Sequence, residues 1–290
     1  MDAIVERKPR GLTPAEMVAE VESRGERIET SFDGGTIAWR CFGAGPPLVL
    51  LHGGFGSWTH WIRNVDVLAR HYRVLAADMA GYGESGEPRE PLAESVAAAM
   101  VPGIRQLVGK ERATLAGFSF GGVVSGLVAQ QAPDAVDAVV LVGAAGMGLR
   151  REPLDLKSWR LTASQEARRE LHRHNLAVLM IWDEAKIDPL AIHLQQQNAE
   201  RARFRSRKIA RTAVLRAALE ATQEPLAGIW GEHDSTAAPY IDDRRALLQE
   251  LRPGTPFEIM PGVGHWVMYE AADAFNTLLL RTIEKVKPRA

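Results

Sequence analysis

The chain has 290 residues, 46% of them hydrophobic, and a formal net charge of −1 at neutral pH. That length and apolar content are enough for a large core and fit one α/β domain with an insertion as well as two domains. The near-zero charge, with Lys and Arg scattered, argues against a nucleic-acid partner.

The one basic cluster, residues 201–208, reads as a solvated helix face with room for one arginine to point inward. Cys41 is the single cysteine, so neither an intramolecular disulfide nor a four-thiolate metal site is expected. The segment from Met1 to Lys8 lacks the apolar core of a secretory signal, and no run of about 18 apolar residues exists to span a bilayer. A soluble cytoplasmic protein without a membrane partner is expected.

From the N-terminus, Thr13-Pro14 opens a short helix by capping and first-turn logic, ending near Arg24-Gly25. Residues 1–25 therefore read as a helical extension outside the core. Short alternating runs at 27–32 and 36–42 flank Asp33-Gly34-Gly35 and predict a β-hairpin. Apolar runs at 48–51, 72–77, 113–117, 138–143 and 225–231 predict strands covered on both faces, with a last short strand at 257–260. Helices are expected at about 60–70, 92–108, 123–131, 240–251 and 270–286. Strands alternating with helices imply a parallel sheet wrapped by helices. Residues 147–222 lack such apolar runs and are rich in Arg, Glu, Gln and Leu, so they read as a helical insertion between core segments 26–146 and 223–290.

The pentapeptide Gly117-Phe118-Ser119-Phe120-Gly121, followed by Gly122, joins a predicted strand directly to a predicted helix. Such a turn crowds its arms together, and the glycines leave them room to pass while Ser119 is held up at the sheet edge. Alone the string is weak, since about one chain in ten of this composition would carry it by accident. Its bland reading is a strand-to-helix connection whose serine caps the helix.

A serine hydroxyl attacks at neutral pH only with a base in reach and an acid behind that base. In an open parallel sheet these groups belong at the carboxyl ends of strands. Two later strand ends supply them, at Gly231-Glu232-His233-Asp234 and at Gly264-His265-Trp266. Ser119, His265 and Asp234 are thus the candidate nucleophile, base and orienting acid. The rivals are weaker: Glu232 comes earlier in its turn, Asp242 and Asp243 fall in the next helix, and His233 shares a short loop with the acid. A tetrahedral intermediate also needs two preorganised donors for its oxyanion. Phe120 N–H at the helix start supplies one, and Gly54 N–H in the loop after residues 48–51 the other, with Phe55 N–H as the alternative. His52 is expected to buttress that loop.

Together, His52-Gly53-Gly54-Phe55-Gly56, Asp78-x-x-Gly81-x-Gly83-x-Ser85, the Ser119 pentapeptide, Gly231-Glu-His-Asp234 and Gly264-His265-Trp266 resemble the α/β-hydrolase fold family. The resemblance covers about residues 26–146 and 223–288. It implies a mostly parallel eight-stranded sheet flanked by helices, with residues 147–222 as a helical cap. It also implies a hydrolase working through Ser119, His265 and Asp234 with no metal or organic cofactor. Residues 264–276 further resemble the hydrolases that cleave carbon–carbon bonds in ring-fission products of aromatic degradation. Those enzymes usually have asparagine before the nucleophile, where this chain has Phe118, and no motif assigns their cap arginine to Arg201 or Arg203. Dehalogenases and epoxide hydrolases of this fold attack with aspartate, so Ser119 argues against both.

Phe55, Phe118, Phe120 and Trp266 would give the pocket apolar walls, with Phe55 and Trp266 the chosen substrate contacts and Trp159, Trp182, Met147 and Met180 at the entrance. Strand alternation turns Phe118 away from Ser119 and equally allows it to be core. The expectation is a carboxylesterase for small apolar esters, with carbon–carbon hydrolysis of a dienoate as the alternative. A receptor-like relative that only binds its ligand is the non-enzyme rival, and a homodimer is left open.

Overall fold

The computed structural model describes residues 11–286. Helix α1 (Pro14–Glu22) begins with Thr13, whose side chain and the Glu16 carboxylate cap each other's backbone amides, and Pro14 occupies the first turn. The hairpin follows as β1 (Glu26–Phe32) and β2 (Gly35–Phe42), closed by positive φ at Gly34 and Gly35. The chain continues through β3 (Pro47–Leu51), α2 (Val65–Leu68), β4 (Arg73–Ala77), α3 (Ala93–Val108), β5 (Ala113–Phe118), α4 (Phe120–Gln131) and β6 (Val136–Val142). Helices α5 (Gln165–Leu179), α6 (Pro189–Arg201) and α7 (Val214–Glu220) come next, then β7 (Leu226–Gly231), α8 (Ile241–Leu251), β8 (Phe257–Met260), α9 (Val267–Glu270) and α10 (Ala272–Val286).

The eight strands form one sheet in the order β1-β2-β4-β3-β5-β6-β7-β8. The β1–β2 and β2–β4 pairs are antiparallel and all others parallel. Every residue of β3, β5 and β7 is buried, as continuous apolar runs demand of strands covered on both faces. Alternation splits them between two cores. Val49, Leu51 and Leu115 meet Val96 and Met100 of α3 and Val124 and Leu127 of α4 on one face, whereas Leu48, Leu50 and Ala116 pack with Leu68, Phe275 and Leu279 on the other. Each such large side chain contributes roughly 1.5–3 kcal/mol by leaving water. The carboxyl ends of β3, β5, β6, β7 and β8 consequently face one edge, and the loops carrying Gly54, Ser119, Asp234 and His265 all start there.

Three expectations about helices differ from the structure. Residues 60–70 do not form one helix: Trp58–Trp61 is a tight 3₁₀ turn, and Asn64, at φ −120° and ψ −34°, separates it from α2. The Asn64 amide donates to Met268 O and to Asn276 Oδ1, tertiary partners that win over local helical periodicity. The terminal helix starts at Ala272 rather than about 270, after a break at Ala271 that separates it from α9, whose Glu270 carboxylate turns back to accept from the amides of Gly264, Trp182 and Asp183. Residues 202–208 are not a helix face either. The chain leaves α6, the amides of Arg203 and Phe204 donate to Gly81 O, and Phe204 is buried against Phe120 and Tyr82. Between β6 and β7 the regular structure of the described residues is entirely helical; α5 packs on α6, and α7 packs on α4.

Candidate active site

Ser119 sits between β5 and α4 at φ 52° and ψ −111°. A positive φ is costly for any residue with a Cβ, and here the crossing of strand and helix enforces it. A Cβ on Gly117 would lie 2.3 Å from Ser125 Oγ and 2.4 Å from Gly121 O, and one on Gly121 would lie 2.3 Å from Leu51 O. Both positions therefore require glycine. The Ser119 amide is anchored to Val142 O at 2.8 Å, whereas its hydroxyl has no hydrogen-bond partner among the described residues.

Asp234 and His265 meet in the loops after β7 and β8. His265 Nδ1 lies 2.8 Å from Asp234 Oδ2, and the two residues are 2% and 0% exposed. A carboxylate can only accept, so His265 donates from Nδ1. Thr236 completes the group, its amide and hydroxyl both donating to Asp234 Oδ1 at 2.8 Å. Burial works to raise the Asp234 carboxyl, but the His265 charge and the hydrogen bonds from His265 and Thr236 outweigh it, leaving the pKa below the usual carboxylate value. Sequence pattern did not single out Thr236; its place two residues after the acid, where a hydroxyl closes an Asx turn, is the signal.

The loop after β3 is held from below by two buried histidines. His52 Nδ1 donates to Gly53 O at 2.7 Å, and Nε2 accepts from the Met79 amide at 3.0 Å, the buttress expected for this residue. Burial lowers its pKa to about 4, against which the Gly53 bond acts only weakly, so the ring is neutral. His60 Nδ1 accepts from the Gly53 amide at 3.2 Å, and burial holds this ring neutral too. Sequence gave no sign of that role. Phe55 takes φ 57°, and Phe55 and Ser119 are the only non-glycine residues with positive φ among the described ones. The amides of Gly54, Phe55 and Phe120 have no internal hydrogen-bond partner among the described residues, which leaves them available to a ligand.

A cavity of about 290 Å³ lies over Ser119 and is also lined by His265, Thr236, Gly54, Phe55, Phe118 and Phe120. The Phe118 ring is buried 4.8 Å from the His265 ring, so it both fills core and reaches the cavity. Trp159 and Met180 also line this space.

Trp266, expected as a substrate contact, does not line it. The indole is fully buried, stacked on Tyr269 at 4.2 Å with Nε1 donating to His60 O at 3.0 Å, because the residue after His265 points into the core beneath the loop. Trp182 is 58% exposed and stacks on His233 at 4.0 Å without lining this cavity, and Met147 is core. Neither Arg201 nor Arg203 reaches the cavity; Arg203 instead donates to Gly83 O and Ser85 O. The walls are also less apolar than expected, since Arg151, Arg160, Arg207 and Arg211 line them. Among the described residues no three His, Cys, Asp or Glu side chains are gathered as a metal ion would need.

An imidazole held by a buried carboxylate, with an unpartnered serine on a strained turn and three unused amides at the same cavity, is an arrangement suited to acyl chemistry. A family profile described as the alpha/beta hydrolase fold matches residues 46–181. The chain has the α/β-hydrolase fold. Along almost its whole length the chain is similar to the dihydrolipoyllysine-residue acetyltransferase component of the acetoin cleaving system of Pseudomonas putida. The two are 28% identical over 303 residues, which cover 98% of this chain and 76% of that protein. It is 26% identical over 283 residues to a 2-hydroxy-6-oxononadienedioate/2-hydroxy-6-oxononatrienedioate hydrolase of Paraburkholderia phymatum, covering 91% of this chain and 97% of the other. Among solved structures, naproxen esterase from Bacillus subtilis superposes with a TM-score of 0.73 at 22% identity, over 95% of this chain and 99% of that one. The last is a likeness of fold.

Proposed function

We propose that this α/β-hydrolase is a serine hydrolase that cleaves a carboxylic ester through Ser119, His265 and Asp234, with residues 147–222 as the cap over its substrate. The observation that carries the reading is the buried Asp234–His265 hydrogen bond at the rim of the cavity that Ser119 lines. Ser119 Oγ attacks the carbonyl carbon while its proton passes to His265 Nε2, and the charge on oxygen is held by the Phe120 and Gly54 amides. The carbon–oxygen bond then breaks, and His265 returns the proton to the departing alcohol, leaving an acyl-serine. Water, giving a proton to His265, attacks that acyl group; the bond from the carbonyl carbon to Ser119 Oγ breaks, His265 returns the proton to Oγ, and the acid is released. Asp234 stays ionised throughout and keeps the proton of the resting imidazole on Nδ1. No hydrogen bond joins Ser119 to His265 in the free protein, and the proposed proton transfer requires one to form with substrate in place.

A second reading is hydrolysis of a carbon–carbon bond in a vinylogous diketone, with Ser119 and His265 first driving ketonisation. It is favoured by the similarity to the Paraburkholderia hydrolase, whose name specifies such substrates.

Fluorophosphonate labelling tests both readings at once. Labelling that Ser119→Ala abolishes, together with p-nitrophenyl ester turnover falling by roughly 10⁵-fold in the same variant, supports the esterase. Labelling without turnover of any ester, but with bleaching of a coloured dienoate, favours carbon–carbon cleavage. Absence of labelling by a reagent that enters the cavity points instead to a protein that only binds its ligand.

A further inference from the structure

Charge is distributed unevenly in this molecule. Residues 147–222 hold fifteen Lys and Arg against nine Asp and Glu, although the chain as a whole carries −1. That excess is focused on the cavity over Ser119, where Arg151, Arg160, Arg207 and Arg211 face a single acid, Glu152. The Glu152 carboxylate is engaged by the Tyr240 hydroxyl at 2.9 Å, and none of the four guanidiniums has an ion-pair partner among the described residues. Arginines elsewhere on the surface are commonly paired, as Arg24, Arg27, Arg105 and Arg216 are.

Arg151 is half-buried, with one weak hydrogen bond from Nη1 to Ala210 O at 3.3 Å. The other three are exposed. Arg207 lies over the Phe55 ring at 5.3 Å, beside the loop whose amides are free. Burial, and then the nearby Arg211 charge, lower the Arg151 pKa, and burial with the Arg160 charge does the same to Arg207. Cations gathered in this way repel one another, and an anion between them relieves the repulsion. The planar fork of a guanidinium fits a carboxylate through two parallel hydrogen bonds.

We propose that the substrate carries a carboxylate remote from its scissile carbonyl, received by Arg151 with Arg207 and Arg211 while Ser119 attacks the other end. The favoured class is the hemi-ester of a short dicarboxylic acid. This rests on the serine-hydrolase reading for the position of the reacting bond and replaces the uncharged apolar ester as its substrate. Net positive charge at the mouth also draws such anions in from solution, although the protein as a whole is slightly acidic.

Mono-p-nitrophenyl adipate and its methyl ester, which differ only in that remote charge, are the test pair for the full-length protein. The hemi-ester is expected to have a kcat/KM roughly tenfold or more above the methyl ester, mainly through KM. The advantage should shrink as salt rises from 0.05 to 0.5 M, concentrations chosen to screen exposed charge. Arg151→Gln should reduce hemi-ester turnover at least fivefold more than methyl-ester turnover. Adipate itself, titrated calorimetrically against the unmodified protein, should bind more tightly than neutral adipamide, a comparison that needs no variant to fold. Equal turnover of the two esters with no preference for adipate overturns the proposal and leaves the serine mechanism standing. Adipate binding that depends on Arg151, with neither ester turned over, keeps the anion site and removes the esterase.

Discussion

The two walls of the cavity are built in different ways. On the sheet side, Ser119, Asp234 and His265 sit within a few residues of strand ends, and the acid and the imidazole are buried with partners on Asp234 Oδ1 and Oδ2. On the other side, residues 149–163 form neither helix nor strand, and Arg151, Arg160, Arg207 and Arg211 are half-buried or exposed without carboxylates to hold them. A group that moves a proton must stay within hydrogen-bond reach of its partner, so its backbone is fixed by the sheet and its side chain by a second residue. A group that attracts or orients a charged ligand acts over longer distances and tolerates a mobile side chain. In the proposed function the first wall carries the chemistry, and the second selects what reaches it.

The sharpest way to break this contrast is Asp234→Asn. An amide at this position no longer fixes the proton on Nδ1, and kcat is expected to fall by about 10⁴-fold while the far-UV circular dichroism stays unchanged. A loss of less than tenfold in p-nitrophenyl ester turnover would remove the special status of the sheet side. Next in size is Trp266→Ala, expected to lower stability by about 3–5 kcal/mol in urea unfolding, because a fully buried indole and its bond to His60 O are lost. A change in KM without a change in stability would return Trp266 to the pocket.

The same contrast sets what could be read from the sequence. The strands were legible because runs such as Leu48-Val49-Leu50-Leu51 have few alternatives to a doubly covered strand, and the strand ends then pointed to Ser119, Asp234 and His265 in turn. Trp266 was misread because adjacency to His265 in the chain does not tell which way the next side chain turns. The break at Asn64 was missed because Trp61, Val65 and Leu68 keep helical spacing while tertiary bonds decide the backbone. Arg207 lies in the basic cluster that leaves room for one inward arginine, and the structure places it at the cavity. Arg151, Arg160 and Arg211 were illegible for another reason: they come from short or irregular segments with no periodic pattern, and a charged stretch usually means a solvated face.

A third prediction concerns the loop between the walls. His52 is buried neutral with a pKa of about 4, against an ordinary value of 6.5. Between these values the unfolded chain binds a proton that the folded chain refuses, so stability is lost as pH falls from 6.5 toward 4 and is complete above that window. The loss reaches about 2 kcal/mol by pH 5, and His60, shifted in the same direction, adds to it. Urea midpoints of wild type and His52→Gln, measured at pH 7.5 and 5.0, should converge at the lower pH. Parallel pH profiles would mean that this loop is not held by a neutral imidazole.

The smallest effect separates strain from contact. Ser119 holds φ 52° because the strand and helix on either side leave no other path, and a Cβ in that region costs about 1–3 kcal/mol. Ser119→Gly removes the cost and repays part of it through the greater freedom of glycine in the unfolded chain, about 0.5–1 kcal/mol. The net gain expected is about 1 kcal/mol, or about 2 °C in Tm, in a protein that has lost its proposed nucleophile. Ser119→Ala keeps the Cβ and should show no such gain. Arg207→Gln, across the cavity and under no backbone strain, should leave stability within about 0.5 kcal/mol of wild type. A stabilised glycine variant beside unmoved alanine and glutamine variants locates the stored strain at the turn that presents the hydroxyl, whereas equal stability of all three would mean that the turn is relaxed and that Ser119 is held up at no energetic cost.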